Sequence, residues 1–448
     1  MAARKAKKAG GNEAGIRAQT VVAPVDETSV RVRVKGTSTY ASQYVRMRYD
    51  AAGDGPRSLG WSAPESSPRS LLTGQLDTLR RRSREQARNN PLCASILHAL
   101  TSNVVGTGMR PLIADPDLQR LWRAWSGECD AHGSLDFGGL QALAFGEMVE
   151  AGECLARLRP RRPEDGLSVP LQLQLLEPEQ LPSGVPAEAP LDRTINGVEF
   201  DVLERRLAYW LYRRHPGDAL AGVGGPAINE VSRVDAREVL HVFRPGRAGQ
   251  VRGVPWLAGA LPALRLIDSY LDAELARKRN AALYGGFIRP PTPDANAAAQ
   301  LFGTEQNPAA AAHATADVAL EPMSPGDFVV LPPGWSVDFS EPADVGGSFE
   351  AFMATQLRAV AAAVGMPYEL ITGDVSYVND RTLRGVLLEF RRRCRQWQRL
   401  LVHQFCAPAF RRFVETAMAS GAWSPPEGTR LEDHLAPRWV GQAWEHIH

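Results

Sequence analysis

At 448 residues the chain exceeds what one hydrophobic core usually organises, and 44% hydrophobic content suffices for two or three packing units. Formal net charge is +1, which excludes the global attraction to nucleic acid of a very basic domain, and only five of the 51 basic residues are lysine. No run approaches the roughly 18 to 20 uncharged apolar residues of a bilayer span, and the basic start MAARKAKKAGG has no apolar segment behind it, so neither a secreted nor a membrane-embedded protein is expected.

Residues 1–40 are basic, then polar, and read as a mobile arm, with VVAPVDETSVRVRV able to form an edge strand. From Leu71 to Gly108 two helices are predicted, separated by Asn89, Asn90 and Pro91, with Pro91 in the first turn of the second and Gly106 and Gly108 closing it. Arg80, Arg81, Arg82, Arg84 and Arg88 on the first helix read as a solvated face. DLQRLWRAWSGECD and DFGGLQALAFGEMVEAGECLARL predict another helical pair, with Trp122 and Trp125 packing a core. A meander follows: VPLQLQLLEPEQL alternates at period two, and TINGVEFDVLERRLAYWLYRR carries an Asn-Gly turn between apolar runs. EVLHVFRPGRAGQVRGVPW reads as strand, Gly-rich connection and helix start. That connection lacks G-x-G-x-x-G spacing.

A helix beginning near Pro255 to Pro262 should run to about Tyr284, with Asp268, Asp272 and Glu274 early and Arg277, Lys278 and Arg279 late, as the helix dipole favours. Residues 285–346 are a Pro-, Gly- and Ala-rich insertion with strands at FIRPP and DFVVLPPGWSVDF. Ser348 can cap the next helix, which Gly365 and Pro367 stop. A polar loop then leads into a helix apolar at Leu383, Leu387, Phe390, Cys394, Trp397, Leu401 and Phe405. Pro408 should break or kink it, and 421–448 read as Trp-rich and irregular.

No constellation supports catalysis. No lysine is preceded by Gly and followed by Ser or Thr, so the phosphate-binding P-loop is missing. An acid-x-Lys nuclease triplet fails too, because Arg33 and Ala276 stand two before Lys35 and Lys278. The histidines are dispersed, GxSxG is absent, and no metal site or cofactor is expected. Glu147, Glu150 and Glu153 would share a helical face and could in principle hold a metal, but an exposed acidic face or ion pairs with nearby arginines is the better reading. The five cysteines, Cys93, Cys129, Cys154, Cys394 and Cys406, are never spaced C-x-x-C and read as reduced, mostly buried thiols of a cytosolic protein. Between 379 and 399 seven arginines face only Asp380 and Glu389, so external carboxylates or phosphates must neutralise them. Salt bridges between subunits or domains, DNA and solvent all stay open, the first ahead.

ARNNPLCASILHALTSNVVGTGMRP (87–111), FRPGRAGQVRGVPWLAGALPALRLIDSYLDAELARKRNAALYGGFI (243–288) and PYELITGDVSYVNDRTLRGVLLEFRRRCRQW (367–397) resemble the lambda-like tailed-phage portal proteins, with matches in the same order over most of 70–440. Where that family commonly reads Val-Asn-Tyr-Ser-Ser, this chain has Val378, Asn379, Asp380, Arg381 and Thr382.

The resemblance implies an α+β portal fold assembled as a ring, usually of twelve subunits, around passing double-stranded DNA. Its parts would be an α/β wing (41–254), a first stem helix (255–284), a small clip (285–346), a second stem helix (347–365), a tunnel loop (366–383) and a long basic wing helix (384–420). A tail (421–448) would lead to an absent or shortened crown, since the chain stops where family members continue. Asp374, Ser376, Tyr377, Asn379, Arg381 and Arg384 would face DNA. Asp268, Asp272 and Glu274 would line the channel and keep it slippery, because a pore lined with cations would hold DNA rather than pass it. Glu389, Arg391, Arg392 and Arg395 would tie subunits together. Expected partners are further copies of the chain, double-stranded DNA, the terminase large subunit, a head-completion or adaptor protein, and the major capsid and scaffolding proteins. The place would be the virion vertex, and the host cytoplasm during assembly. A DNA-processing enzyme using acids without lysine, and a monomeric capsid-associated protein, remain the alternatives.

Overall fold

The computed structural model describes residues 65–218, 230–283, 287–289, 336–338, 348–376 and 378–444. The expected N-terminal arm and most of the 285–346 insertion lie outside them. Helices α1 (Pro68–Leu72), α2 (Leu76–Asn89) and α3 (Pro91–Val104) open the fold. The Asn90 side chain accepts from the backbone N–H of Leu92 at 2.9 Å, with Pro91 following, so one Asn-Pro pair both ends α2 and starts α3. Asp115 and Asp136 cap α4 (Pro116–Glu128) and α5 (Phe137–Glu150) in the same way. Gly106 and Gly108, at φ +54° and +94°, turn the chain out of α3 as their spacing predicts.

The second helix of the predicted pair is shorter than its apolar pattern suggests. It ends at Glu150, Gly152 takes φ +94°, and Glu153 begins strand β2 (Glu153–Pro160). With β3 (Leu171–Leu176) and β8 (Val239–Phe243), β2 forms an antiparallel sheet in the order β3-β2-β8. A second antiparallel sheet runs β4 (Thr194–Ile195), β5 (Val198–Phe200), β6 (Arg206–Tyr212), β7 (Val231–Asp235). The predicted Asn-Gly turn joins β4 to β5, with Asn196 at φ 50° and Gly197 at φ 78°.

Helix α6 (Leu261–Leu283) leads to β9 (Phe287–Arg289), which pairs antiparallel with β10 (Ser336–Asp338), the two strands expected around the insertion. Helices α7 (Ser348–Val364), α8 (Tyr368–Thr372) and α9 (Asp380–Leu401) follow. Pro408 does not break the long helix. A π-turn over Val402–Cys406 passes α9 into α10 (Ala407–Ala419), in whose first turn Pro408 lies and where no intrahelical N–H is needed. The widened turn brings the Gln404 side chain to accept from Phe243 N at 2.9 Å, tying helix to sheet.

The residues from 421 onward are not simply irregular. They carry α11 (Leu431–His434) and β11 (Arg438–Val440), which pairs antiparallel with β1 (Arg110–Leu112). That pairing delivers Trp439 to an aromatic cluster of Trp122, Trp125, Phe137, Phe410 and Phe413, with neighbouring ring centroids 5.0–6.4 Å apart. Trp122 and Trp125 are therefore core, each such ring pair adding about 0.5–1.5 kcal/mol beyond area burial. A smaller core around Leu155, Leu181, Val198, Tyr209 and Val234 joins the two sheets. All five cysteines are free and buried.

Candidate functional site

Between α7 and α9 the chain makes two left-handed turns at glycine, Gly365 (φ +76°) and Gly373 (φ +72°), a conformation that other residues rarely adopt. The five residues of α8 between them occupy what the sequence suggested was all loop. Buried Ile371 anchors this helix, its carbonyl accepting from Ser95 Oγ at 2.9 Å. The loop proper is thus 373–379. Inside it the Asp374 carboxylate accepts from Ser376 N at 3.0 Å and from the Tyr368 hydroxyl at 3.3 Å. The Ser376 hydrogen bonds, backbone first, hold the Asp374 carboxyl below the usual range, so it is ionised at neutral pH. Asn379 caps α9, its side-chain oxygen accepting from Thr382 N at 2.8 Å. Arg384 pairs with Asp380 at 2.9 Å. Ser376 and Arg381 are exposed, and Tyr377 lies outside the described residues.

Phe390, Cys394, Trp397 and Leu401 bury one face of α9, as the three-four spacing predicts. On the other side several of the arginines have partners in their own chain. Arg391 and Arg395 stack on the Trp444 ring at 5.7 and 5.6 Å. Arg392 pairs with Glu389 at 3.0 Å, and Arg393 donates to the Gly365 carbonyl at 3.0 Å, bracing the turn before α8. A ring contact leaves a guanidinium's N–H groups free for a second acceptor.

The three acids of α6 do not form one stripe. Asp268 and Asp272 are a helical turn apart on one side, whereas two further residues carry Glu274 about 200° round, nearly to the opposite side. Asp268 accepts from Asn90 Nδ2 at 3.0 Å, facing the start of α3. Glu274 is neutralised by Arg277 at 2.7 Å and Lys278 at 3.9 Å, while Asp272 is exposed.

The charged groups that bind the helices to the sheets are not legible in the sequence. Arg80 is not on a solvated face but fully buried, and Arg84 is mostly so. Glu153 shares no helical face with Glu147 and Glu150, because the chain has already become a strand. Its buried carboxylate takes Arg80, Arg252 Nε at 2.7 Å, Gly253 N at 2.6 Å and His241 Nε2 at 2.9 Å. Burial alone would raise its pKa, but Arg252, Arg80 and His241 outweigh that and drive it well below the carboxylate range. Arg84 binds Glu147 and Glu179 at 2.9 Å and Glu150 at 3.3 Å, so the ion-pair reading of those glutamates holds. Among the described residues one group, Glu177, Glu179 and His215, brings three possible metal ligands within 4.8 Å of one another. Arg84 already supplies the cation there, 3.9 Å from Glu177. The one sequence signal for Glu153 was Gly152 just before it, which favours a break in the helix over its continuation.

What this arrangement offers is a capped polar loop, arginine faces and buried ionic joints. The model of the family described as phage portal protein, lambda family, matches residues 54–398. The chain belongs to that family, and it is a portal protein. It is similar to a probable portal protein of Halomonas phage phiHAP-1, 26% identical over 396 residues that cover 83% of this chain and 72% of the relative. Among solved structures it is similar to a chain of the neck of a native GTA particle computed with C12 symmetry, at TM-score 0.42 and 17% identity, covering 82% of this chain and 94% of that one. A chain of the virion of a native gene transfer agent particle matches at TM-score 0.42 and 18% identity, covering 83% and 99%.

Proposed function

We propose that the chain assembles into a ring, usually of twelve copies in this family, at one vertex of a viral capsid, and that double-stranded DNA is packaged and ejected through its centre. The observation that carries this reading is the family match across 54–398, a span that includes both helices flanking the insertion and the glycine-bounded loop. In this reading α6 and α7 are the stem, 285–346 the clip, 373–379 the tunnel loop, and α9 with α10 the long wing helix. Asp374, Ser376, Tyr377, Asn379, Arg381 and Arg384 border the DNA. Asp374 and Asn379 also hold the loop's shape, and Arg384 is tempered by Asp380.

Of the three α6 acids, exposed Asp272 belongs to a lumen without excess cation, as passage requires, while Asp268 is turned to Asn90 and Glu274 to Arg277 and Lys278. Arg391, Arg392 and Arg395, with Glu389, meet the neighbouring subunit using the donors that Trp444 and the helix leave free. The clip would dock the terminase large subunit and later a head-completion protein, while the capsid and scaffolding proteins surround the wing. Negative-stain imaging and native mass of the purified protein test the core of the reading. Rings of about twelve copies are expected for closed cyclic symmetry, and a monodisperse monomer that cuts DNA with Mg²⁺ would overturn it.

A further inference from the structure

Strand β2 changes character halfway along one face. Leu155 packs into the smaller core, but the next positions on that side are Arg157 and Arg159, followed by Arg161, whose backbone N–H continues the pairing to Pro170 O at 2.9 Å. The opposite side stays buried through Cys154, Ala156 and Leu158, so the arginine side cannot turn inward without destroying the core.

Two of the three guanidiniums, those of Arg159 and Arg161, are held by neutral side chains. Arg159 Nε donates to Gln174 Oε1 and Arg161 Nε to Gln172 Oε1, each at 2.8 Å. Gln172 is itself fixed, its amide donating to the carbonyls of Glu128 at 2.9 Å and Asp130 at 3.1 Å. With Nε engaged, the terminal nitrogens of these two half-buried residues remain for another acceptor, in the fork that matches phosphate oxygens. Among the described residues one carboxylate pairs with the row, Glu238 at 4.0 Å from Arg157. Burial and the flanking charges of Arg157 and Arg161 lower the pKa of Arg159, the mark of a like-charge row short of anions. Like charges side by side on a sheet destabilise it, yet here two glutamines keep Arg159 and Arg161 in place. Alternate residues of a strand repeat at about 6.8 Å, comparable to the separation of successive phosphates along one nucleic-acid strand.

We propose that Arg157, Arg159 and Arg161 form a phosphate-binding ladder, a contact for the backbone of double-stranded DNA separate from the 373–379 loop. It rests on the reading that DNA meets this protein, and it adds a different kind of contact: a row of cations retains a duplex, whereas the lumen must let it slide.

The test uses the full-length protein in its assembled state, a short labelled DNA duplex of mixed sequence, and fluorescence anisotropy across a salt series. Replacing the row (Arg157→Gln, Arg159→Gln, Arg161→Gln) should weaken binding about tenfold or more and lower the slope of log K against log salt by about 2.7, the loss of three phosphate contacts. The triple Arg→Lys variant should keep most of the slope. An unchanged affinity and slope in the glutamine variant would overturn the proposal. So would a variant that no longer assembles but whose subunits bind duplex as before, since the row would then be a contact between copies. Wild-type rings that ignore duplex at low salt would overturn it as well. Failure of the conduit reading shows separately, as the absence of rings in native mass.

Discussion

The Glu153 carboxylate and the Arg252 guanidinium meet at 2.7 Å, both fully buried, from positions 99 residues apart. Arg252 also donates to the carbonyls of Pro182 and Asn196 at 2.9 and 2.7 Å, so one side chain ties the loop before α6 to the start of the second sheet. Removing one partner of such a pair strands the other charge. Glu153→Gln, which leaves Arg80 and Arg252 facing each other without a counter-charge, should cost about 3–5 kcal/mol in denaturant unfolding. Loss below about 1 kcal/mol would show that the site relaxes or admits water.

His241 gives this joint a pH dependence. Burial lowers its pKa from 6.5 to about 4 against the pull of Glu153, so it stays neutral in the folded chain where the unfolded chain binds a proton. Stability contributed by the neutral ring is complete above pH 6.5 and falls as pH drops through that value, levelling near pH 4. Glu153, whose pKa is also depressed, adds loss of the same sign below its ordinary 4.5. His241→Gln should flatten thermal stability between pH 6.5 and 4 relative to wild type, read as melting temperature against pH. A parallel pair of curves would assign the acid sensitivity elsewhere.

Asn379 does two jobs that substitution can separate. Asn379→Ala removes the cap of α9 and should cost about 1 kcal/mol of stability, whereas Asn379→Asp keeps a capping oxygen and should cost almost nothing. If the loop borders DNA, the Asp variant, as stable as wild type, should still bind duplex more weakly at low salt. Equal duplex affinity would leave Asn379 with the cap alone.

Gly152 stands where two backbones cross. A Cβ there would lie 2.4 Å from the Val254 carbonyl carbon and 2.6 Å from Pro255 N, with φ at +94°. Gly152→Ala combines about 1–3 kcal/mol of backbone strain with a clash against main chain that cannot rotate away. It should yield mostly insoluble protein or a large drop in melting temperature. Gly373→Ala, which meets nothing within 4 Å, isolates the conformational part and should cost about 1 kcal/mol.

The helices around the core were legible because their determinants are local. Asn90, Asp115 and Asp136 cap within three residues of themselves, and the three-four spacing of Phe390, Cys394, Trp397 and Leu401 shows its buried face without reference to a partner. The Asn196–Gly197 turn is equally self-contained. The end of α5 was misread because Cys154, Leu155 and Leu158 extend an apolar helical pattern, while the strand they form is selected by pairing with Val242 and His241 from far along the chain. The 421–444 segment looked irregular for the same reason: Arg438–Val440 is a strand only because Arg110–Leu112 is there to receive it.

The sequence by itself determined the helical framework, the family, the lack of familiar catalytic motifs and the place of the polar loop, because spacing, caps and ordered motif blocks are written in contiguous residues. Tertiary structure decided which charges are free. Arg80, Arg84 and Arg392 look alike in a string of letters, yet one is fully buried against Glu153, one is ringed by glutamates, and one lies on the surface beside Glu389. The row at 157, 159 and 161 becomes a row only when a strand of period two aligns it over Gln172 and Gln174. Charge state and accessibility depend on what long-range packing brings alongside, and that information is distributed over positions that no local window spans.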